Sequence, residues 1–320
     1  MIEIEVIGLG ALNMDNIYRV ERILDDGETV VKESASFPGG SAANTIYGLA
    51  RLGLSAGFIG AVGDDAEGKL LLKDLQKAGV DTGQVRVKSR AKSGSTLCLS
   101  DELGRRSIYV LPDANNLLNI NDLDMDYINQ VKCLHVSSFV DDAQFKVLLE
   151  LVSRLESSVK ISFSPGALYA SKGLVALKPI LARTHVLFIN QHEIRQLTGD
   201  DISSGAEICF EQGCQIIVVT LGENVNSESA SATSYILSAE NEYLVESAPP
   251  DKMALDTTGA GDAFAAGFLY GFLNEKNLEE CGHLGDMVAR FSITKMGARP
   301  GLPTQAQLAR RYRQLYTKHL

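Results

Sequence analysis

The sequence predicts an α/β fold: a mostly parallel central sheet with helices on both faces, plus a small β-rich lid. Three observations predict it. Beyond about residue 143, apolar strand-like runs alternate with helical patterns, as they do when parallel strands are joined by crossover helices. Two earlier hairpin patterns have no helix partner to cover them. The 320 residues are 45% hydrophobic and 22% charged, an ordinary globular composition with chain enough for one large domain or two smaller ones.

Residues 2–9 alternate and then turn apolar, as a strand entering a buried sheet does. The stretch 16–37, rich in β-branched residues around Asp25-Asp26-Gly27, reads as a hairpin. A helix follows over Ser41–Leu52, a strand over Ala56–Val62 and a helix over Glu67–Ala78. Ser95–Ser100 and Arg106–Leu111 form a second hairpin around Asp101–Gly104. Helix Ala143–Leu155 precedes strand Lys160–Phe163, and strand His185–Asn190 precedes helix Gln191–Leu197. A further helix leads into strand Gln215–Leu221, and two helices lie after Gly261. The Ser-rich stretch Asn224–Ser234 reads as a loop, and the basic residues 309–319 as a solvated helix face. The expected division is a large domain of residues 1–12, 45–92 and 115–320, and a lid of 13–44 and 93–114.

Forty acidic against 30 basic residues give a net charge of −10, which argues against nucleic-acid binding. The five cysteines are scattered singly with no C-x-x-C pair, the usage of a reduced cytoplasmic protein with buried thiols. No basic n-region opens the chain, so no signal peptide is expected. The most apolar run, Ala263–Leu273, falls far short of the ~20 residues a membrane span needs.

Three glycine-rich segments compete as phosphate binders. Gly8-Leu9-Gly10 fails as a dinucleotide fingerprint because Asn13 stands where a Gly or Ala is required, so it reads as a tight strand exit. Gly63 to Leu70 nearly spells a P-loop, but Leu70 replaces the Mg²⁺-binding Ser or Thr. Asp64, Asp65 and Glu67 would also repel a triphosphate. The third, Asp256-Thr257-Thr258-Gly259-Ala260-Gly261-Asp262, precedes an apolar helix. Its small residues let backbone N–H groups converge at a helix N-terminus, an anion-binding device. Asp262 reads equally as a helix cap or as a carboxylate beside that cradle, placed to take the proton of an attacking hydroxyl. Gly267 and Gly271 read as sites of close helix packing.

Phe37–Gly53 and Leu255–Phe268 resemble the two signature segments of the PfkB, or ribokinase-like, carbohydrate and nucleoside kinases. Asn190-Gln191-His192-Glu193 resembles that family's N-x-x-E motif, Val218–Asn224 its nucleotide-binding strand end, and residues 62–81 a further family segment. The resemblance spans nearly the whole chain in the expected order, and implies a ribokinase-like fold and an ATP-dependent kinase. Asp262 would be the catalytic base, with the amides of Gly259, Ala260 and Gly261 as the anion hole. Asn190 and Glu193 would organise Mg²⁺ and the phosphates, partly through water, and Thr220 and Gly222 would line the ATP site.

Asn13, Asp15, Gly39, Gly40 and Asn44 would bind substrate hydroxyls, although Asn44 alone reads as a helix cap and Asp15 as a turn residue. Asp256 and Thr258, with the backbone of Ser292, Lys295, Gly297 and Gly301, match the family's monovalent-cation (K⁺) segments. Pairing of such flaps between subunits in related kinases implies a homodimer through the lid. The chain departs from the pattern in three places. Ser41 replaces a Lys common in ribokinases, Val225 replaces a second Gly of the nucleotide loop, and no sugar-binding acid stands near Ser137–Phe139. Arg106 is placed either to meet a substrate phosphate or as a solvated hairpin residue. The open readings are a sugar kinase, a nucleoside kinase, a non-catalytic ligand binder on the same scaffold and, more distantly, a dinucleotide oxidoreductase.

Overall fold

A computed structural model describes residues 3–102, 105–222, 231–247 and 254–316. The chain begins with β1 (Val6–Leu9), β2 (Asn13–Val20), β3 (Val31–Gly39), α1 (Ser41–Arg51), β4 (Ala56–Gly63), α2 (Ala66–Lys77) and β5 (Val85–Lys88). Next come β6 (Gly94–Ser100), β7 (Arg106–Leu111), two 3₁₀ turns (Asp113–Leu117, Ile120–Asp122), α3 (Met125–Ile128), β8 (Cys133–Ser137), α4 (Asp142–Arg154) and β9 (Lys160–Ser164). Then α5 (Gly166–Ala170), α6 (Gly173–Leu181), β10 (Thr184–Asn190), α7 (Gln191–Thr198), α8 (Ile202–Glu211), β11 (Ile216–Thr220), β12 (Ser231–Ser238) and β13 (Glu242–Ser247) follow. Finally α9 (Ala260–Leu273), α10 (Leu278–Ser292) and α11 (Gln305–Tyr316) close the described chain.

The nine-stranded sheet runs β13-β12-β11-β10-β9-β8-β1-β4-β5. All neighbours from β11 to β5 pair in parallel, while β12 is antiparallel to both β11 and β13. Period-two alternation divides its strands between two cores. Ile7, Leu187, Ile189, Ile217 and Val219 face α4 to α8, whereas Val6, Val186, Phe188 and Val218 face α1, α2, α9 and α10. Both faces are therefore covered, as a parallel sheet requires.

The two early hairpins join into one four-stranded sheet, β3-β2-β6-β7, because β2 and β6 pair in parallel. The helical and hairpin readings agree with these elements to within a few residues. Not anticipated were β5, the two 3₁₀ turns, α3, β8, α5, α6 and the edge pair β12–β13. One expectation is corrected: Ser231–Ser234 belong to β12 rather than to a loop. The two helices read after Gly261 are α9 and α10, and the basic helix face read from residue 309 lies in α11.

Gly8 and Gly10 are required by packing rather than by a turn. A Cβ on Gly8 would meet Ile46 Cγ1 at 2.4 Å, and one on Gly10 would meet Ala42 Cβ at 2.8 Å, so both let α1 lie against β1. Gly267 and Gly271 likewise admit α10, since a Cβ on Gly267 would reach the Leu284 carbonyl oxygen at 2.4 Å. Among the described residues no helix is long and apolar enough to cross a membrane, and all five cysteines are buried and outside any disulfide.

Candidate active site

In open parallel sheets, ligands bind beyond the carboxyl ends of the strands. Asn190 and Thr220 end β10 and β11 there as register partners, and the chain leaving β1 enters the small sheet at Asn13. Gly40 makes the joint between β3 and α1. Its φ is 101°, and a Cβ would stand 2.1 Å from the Ala11 carbonyl oxygen, so no other residue fits without rearrangement.

The helix α9 starts at Gly259 (φ 74°) with no side-chain cap, leaving its positive end facing the cleft. Asp262 is therefore not the cap but a residue of the first turn. Its Oδ1 accepts from Ser41 Oγ at 2.7 Å and its Oδ2 from Asn44 Nδ2 at 2.9 Å. Asn44, inside α1 and 4% exposed, caps nothing: it donates to Asp262 and accepts from Arg299 Nε at 2.9 Å. Burial pushes the Asp262 carboxyl up to about 6, against the hydrogen bonds from Ser41 and Asn44; Asp15 adds to the rise and Arg299 opposes it. A carboxylate poised there can act as a general base near neutral pH.

Asp262 shares a cleft of about 210 Å³ with Asn13, Asp15, Gly40, Ser41, Asn44, Thr96 and Gly259, under the apolar Ile17 and Ile108. Asp15 lies within β2, not a turn, and its Oδ1 accepts from Thr96 Oγ1 at 2.8 Å. Gly39 does not line the cleft; it makes room for Asp15, whose Oδ2 would lie 1.9 Å from a Cβ there. The cleft opens, past Ile17, Cys98 and Thr258, into a wider cavity of about 570 Å³ between the small sheet and residues 254–258.

Of the expected anion-hole amides, Ala260 N–H already holds the Thr257 carbonyl at 3.2 Å, while Gly259 and Gly261 flank it. Asn190 and Glu193 form a reciprocal capping box for α7. Asn190 Oδ1 accepts from the His192 and Glu193 amides, and Glu193 Oε2 from the Asn190 amide at 3.0 Å. Burial raises the Glu193 carboxyl, with the bonds from Asn190 opposing. Gly222 (φ 72°) follows β11. None of these four nucleotide candidates lines the Asp262 cleft, and Val225 lies outside the described residues.

Asp256 Oδ1 accepts from both the amide and the hydroxyl of Thr258, and its Oδ2 from the Gly297 amide at 2.8 Å. At Gly301 a Cβ would strike the Ser292 and Phe291 carbonyl oxygens at 2.4 and 2.6 Å, and Lys295 N–H reaches the Ser292 carbonyl at 3.4 Å. The P-loop decoy is occupied by its own acid. Asp65 accepts from the Gly68 amide and from the amide and hydroxyl of Ser93, which fills the cradle.

Sequence reasoning missed Arg299. Its buried guanidinium donates to Asn44 Oδ1, to Asp74 Oδ2 at 2.6 Å and to the Gly39 carbonyl at 2.9 Å, and it lies over the Tyr47 ring. The only signal was an arginine in an otherwise small-residue loop. Thr96 and Asn115, whose side chain holds both Leu12 backbone groups and Asn13 Oδ1, carried no local signal.

Asp262 stands in the first turn of a helix with no side-chain cap, on the wall of a cleft lined by Asn13, Asp15, Asn44 and Thr96, an arrangement that can hold an anion and a hydroxyl beside a carboxylate. The chain belongs to the pfkB family of carbohydrate kinases, whose model matches residues 1–305. An uncharacterized sugar kinase of Archaeoglobus fulgidus is 39% identical over 80% of this chain and 98% of its own. An ATP-dependent ribose-1-phosphate kinase of Halopiger xanaduensis is 29% identical, covering 92% and 94%. The structure of Arabidopsis thaliana ribokinase complexed with ribose and ATP shares the fold at a TM-score of 0.80 and 23% identity, covering 97% and 98%.

Proposed function

We propose that the chain transfers the γ-phosphoryl group of ATP to a hydroxymethyl group of a small sugar or sugar-like molecule in the cytoplasm. The observation that carries this reading is Asp262, half-buried and hydrogen-bonded to Ser41 and Asn44 at the head of α9, on the wall of the cleft. Asp262 takes the hydroxyl proton as the alkoxide oxygen bonds to the γ-phosphorus. The bond to the β-phosphate oxygen breaks and ADP leaves. The amides of Gly259 and Gly261, with Ala260 the weakest of the three because of its bond to Thr257, receive the developing charge.

Asp15, Asn13 and Asn44 supply the mixed acceptors and donors that vicinal hydroxyls need, with Gly40 shaping the wall. Thr220 and Gly222 line the nucleotide. Glu193 and Asn190 fit Mg²⁺ only as water-mediated partners, because their mutual capping bonds hold them in place; Mg²⁺ supplies charge neutralisation on the phosphates. The carbonyl oxygens crowding Gly301, with Asp256, suit K⁺, to which Thr258, Ser292, Lys295, Gly297 and Gly301 would contribute structure or backbone oxygen.

The four-stranded sheet (within residues 13–44 and 93–114) acts as a lid that excludes water. Tyr109 and Leu111 stand exposed on its edge strand β7, which supports a homodimer through the lid. The wider cavity joined to the cleft favours a second reading, a nucleoside kinase, since it offers room for a base. Coupled ADP release across sugars, phosphosugars and nucleosides tests both readings. No turnover with any alcohol despite ATP binding would instead favour a non-catalytic binder.

A further inference from the structure

Away from Asp262, a cavity of about 520 Å³ opens between the end of α1, the last turns of α10, residues 293–302 and α11. Arg51, Arg290, Lys295, Arg310 and Arg311 line it, with Thr294, Gln307 and Gln314 beside them and no acidic side chain among the described residues of its wall. In a chain of 40 acids and 30 bases this is a marked segregation of charge. Arg290 is tempered by Asp286, which accepts from its Nε at 2.8 Å, and Arg51 Nη2 touches the Leu302 carbonyl oxygen at 3.4 Å. Lys295 and Arg310 are exposed. A concave wall of guanidinium groups recognises phosphoryl oxygens through paired N–H donors, and the volume suits a metabolite rather than a polymer.

The wall shared with the active site gives this cavity its significance. Ile293, in that wall, accepts the Leu255 and Asp256 amides through its carbonyl oxygen. The same loop delivers Gly297 N–H to Asp256 and the Arg299 guanidinium to Asn44, the partner of Asp262. We propose that the cavity is an effector site for a small phosphorylated anion, whose occupancy is transmitted through residues 293–302 to the catalytic carboxylate. The regulatory half rests on the kinase reading; the binding half does not.

The test uses the full chain with pyrophosphate as probe, by calorimetry without Mg²⁺. The wild type should show two classes of site. A non-hydrolysable ATP analogue should displace one of them. Arg310→Glu should weaken the other at least tenfold and leave the thermal midpoint unchanged. Arg51→Gln should weaken the same class. Identical isotherms for wild type and Arg310→Glu would overturn the site, as would tighter binding of a single-stranded oligonucleotide than of pyrophosphate with the same dependence on Arg310. With an accepted alcohol and excess Mg²⁺, inorganic phosphate should change kcat/KM at least threefold in the wild type and leave Arg310→Glu, of normal basal activity, unmoved. A flat wild-type response would overturn the effector role. If no alcohol is phosphorylated, the kinase reading fails while the calorimetry still decides the site.

Discussion

Asp262 and Arg299 are linked through one amide side chain, and their predictions separate chemistry from architecture. Asp262→Asn should lower kcat by a factor of at least ~10³, as loss of a general base does, with substrate KM little changed. The folded carboxyl titrates near 6, above its ordinary 3.8, so the wild type gives up stability as pH rises through that window. The stability of Asp262→Asn relative to wild type should therefore grow by about 1–3 kcal/mol between pH 4 and pH 7, as chemical denaturation at each pH will show. For the wild type, kcat/KM should rise through pH 6 as the base ionises. Arg299 acts as a positioning residue. Arg299→Met leaves Asp74 unpaired and Asn44 unheld, and should cost about 2–4 kcal/mol of stability by denaturant titration. It also removes a cation that lowers the Asp262 titration, so the pH–rate profile should move to higher pH. Asp262 was legible because a motif brackets it. Arg299 was not, because its three partners, Gly39, Asn44 and Asp74, are more than 200 positions away in the chain and meet it only in the folded state.

Among the elements, the first turn of α2 and the joint between β3 and α1 make opposite uses of a glycine-rich sequence. Asp65 caps α2 and ties Ser93 to it, and these bonds outweigh burial to hold its carboxyl below the usual range. Asp65→Asn should destabilise the fold by about 1–2 kcal/mol without altering KM for ATP, which calorimetric melting and steady-state kinetics will separate. At Gly40 an alanine meets both a left-handed backbone and the Ala11 carbonyl oxygen, whereas Gly27 (φ 102°) has nothing within 4 Å of its Cβ. Gly40→Ala should therefore cost over ~2 kcal/mol and abolish activity, while Gly27→Ala costs about 1 kcal/mol and spares it. Strands with strong alternation and helices with clear periodicity were readable. The short strands β5 and β8 were not: Val85–Lys88 interleaves its two valines with Arg86 and Lys88, and His135 interrupts the apolar run of Cys133–Ser137. The parallel pairing of β2 with β6, which turns two hairpins into one sheet, joins residues about 80 positions apart and has no local signature.

For the whole molecule, burial divides the chain. The central strands are covered on both faces, while β3 is largely exposed. Amide hydrogen exchange should be slowest in β1, β4 and β8 and markedly faster in β3 and β7, with saturating substrate slowing the latter pair most. Equal protection of both sheets, with or without substrate, would contradict the lid. The parallel core and the four-stranded sheet meet at Gly40, and the residues on either side of that joint differ in duty. Just before it stand β2 and β3, of which β2 gives Asn13, Asp15 and Ile17 to the cleft; just after it, α1 carries Ser41 and Asn44 to Asp262. The two sides are coupled: Asp15 in β2 raises the Asp262 titration, and the Gly39 carbonyl at the end of β3 holds Arg299. A change of side chain at Asp15 in the small sheet therefore carries a second effect, because it also retunes the pH at which Asp262 ionises.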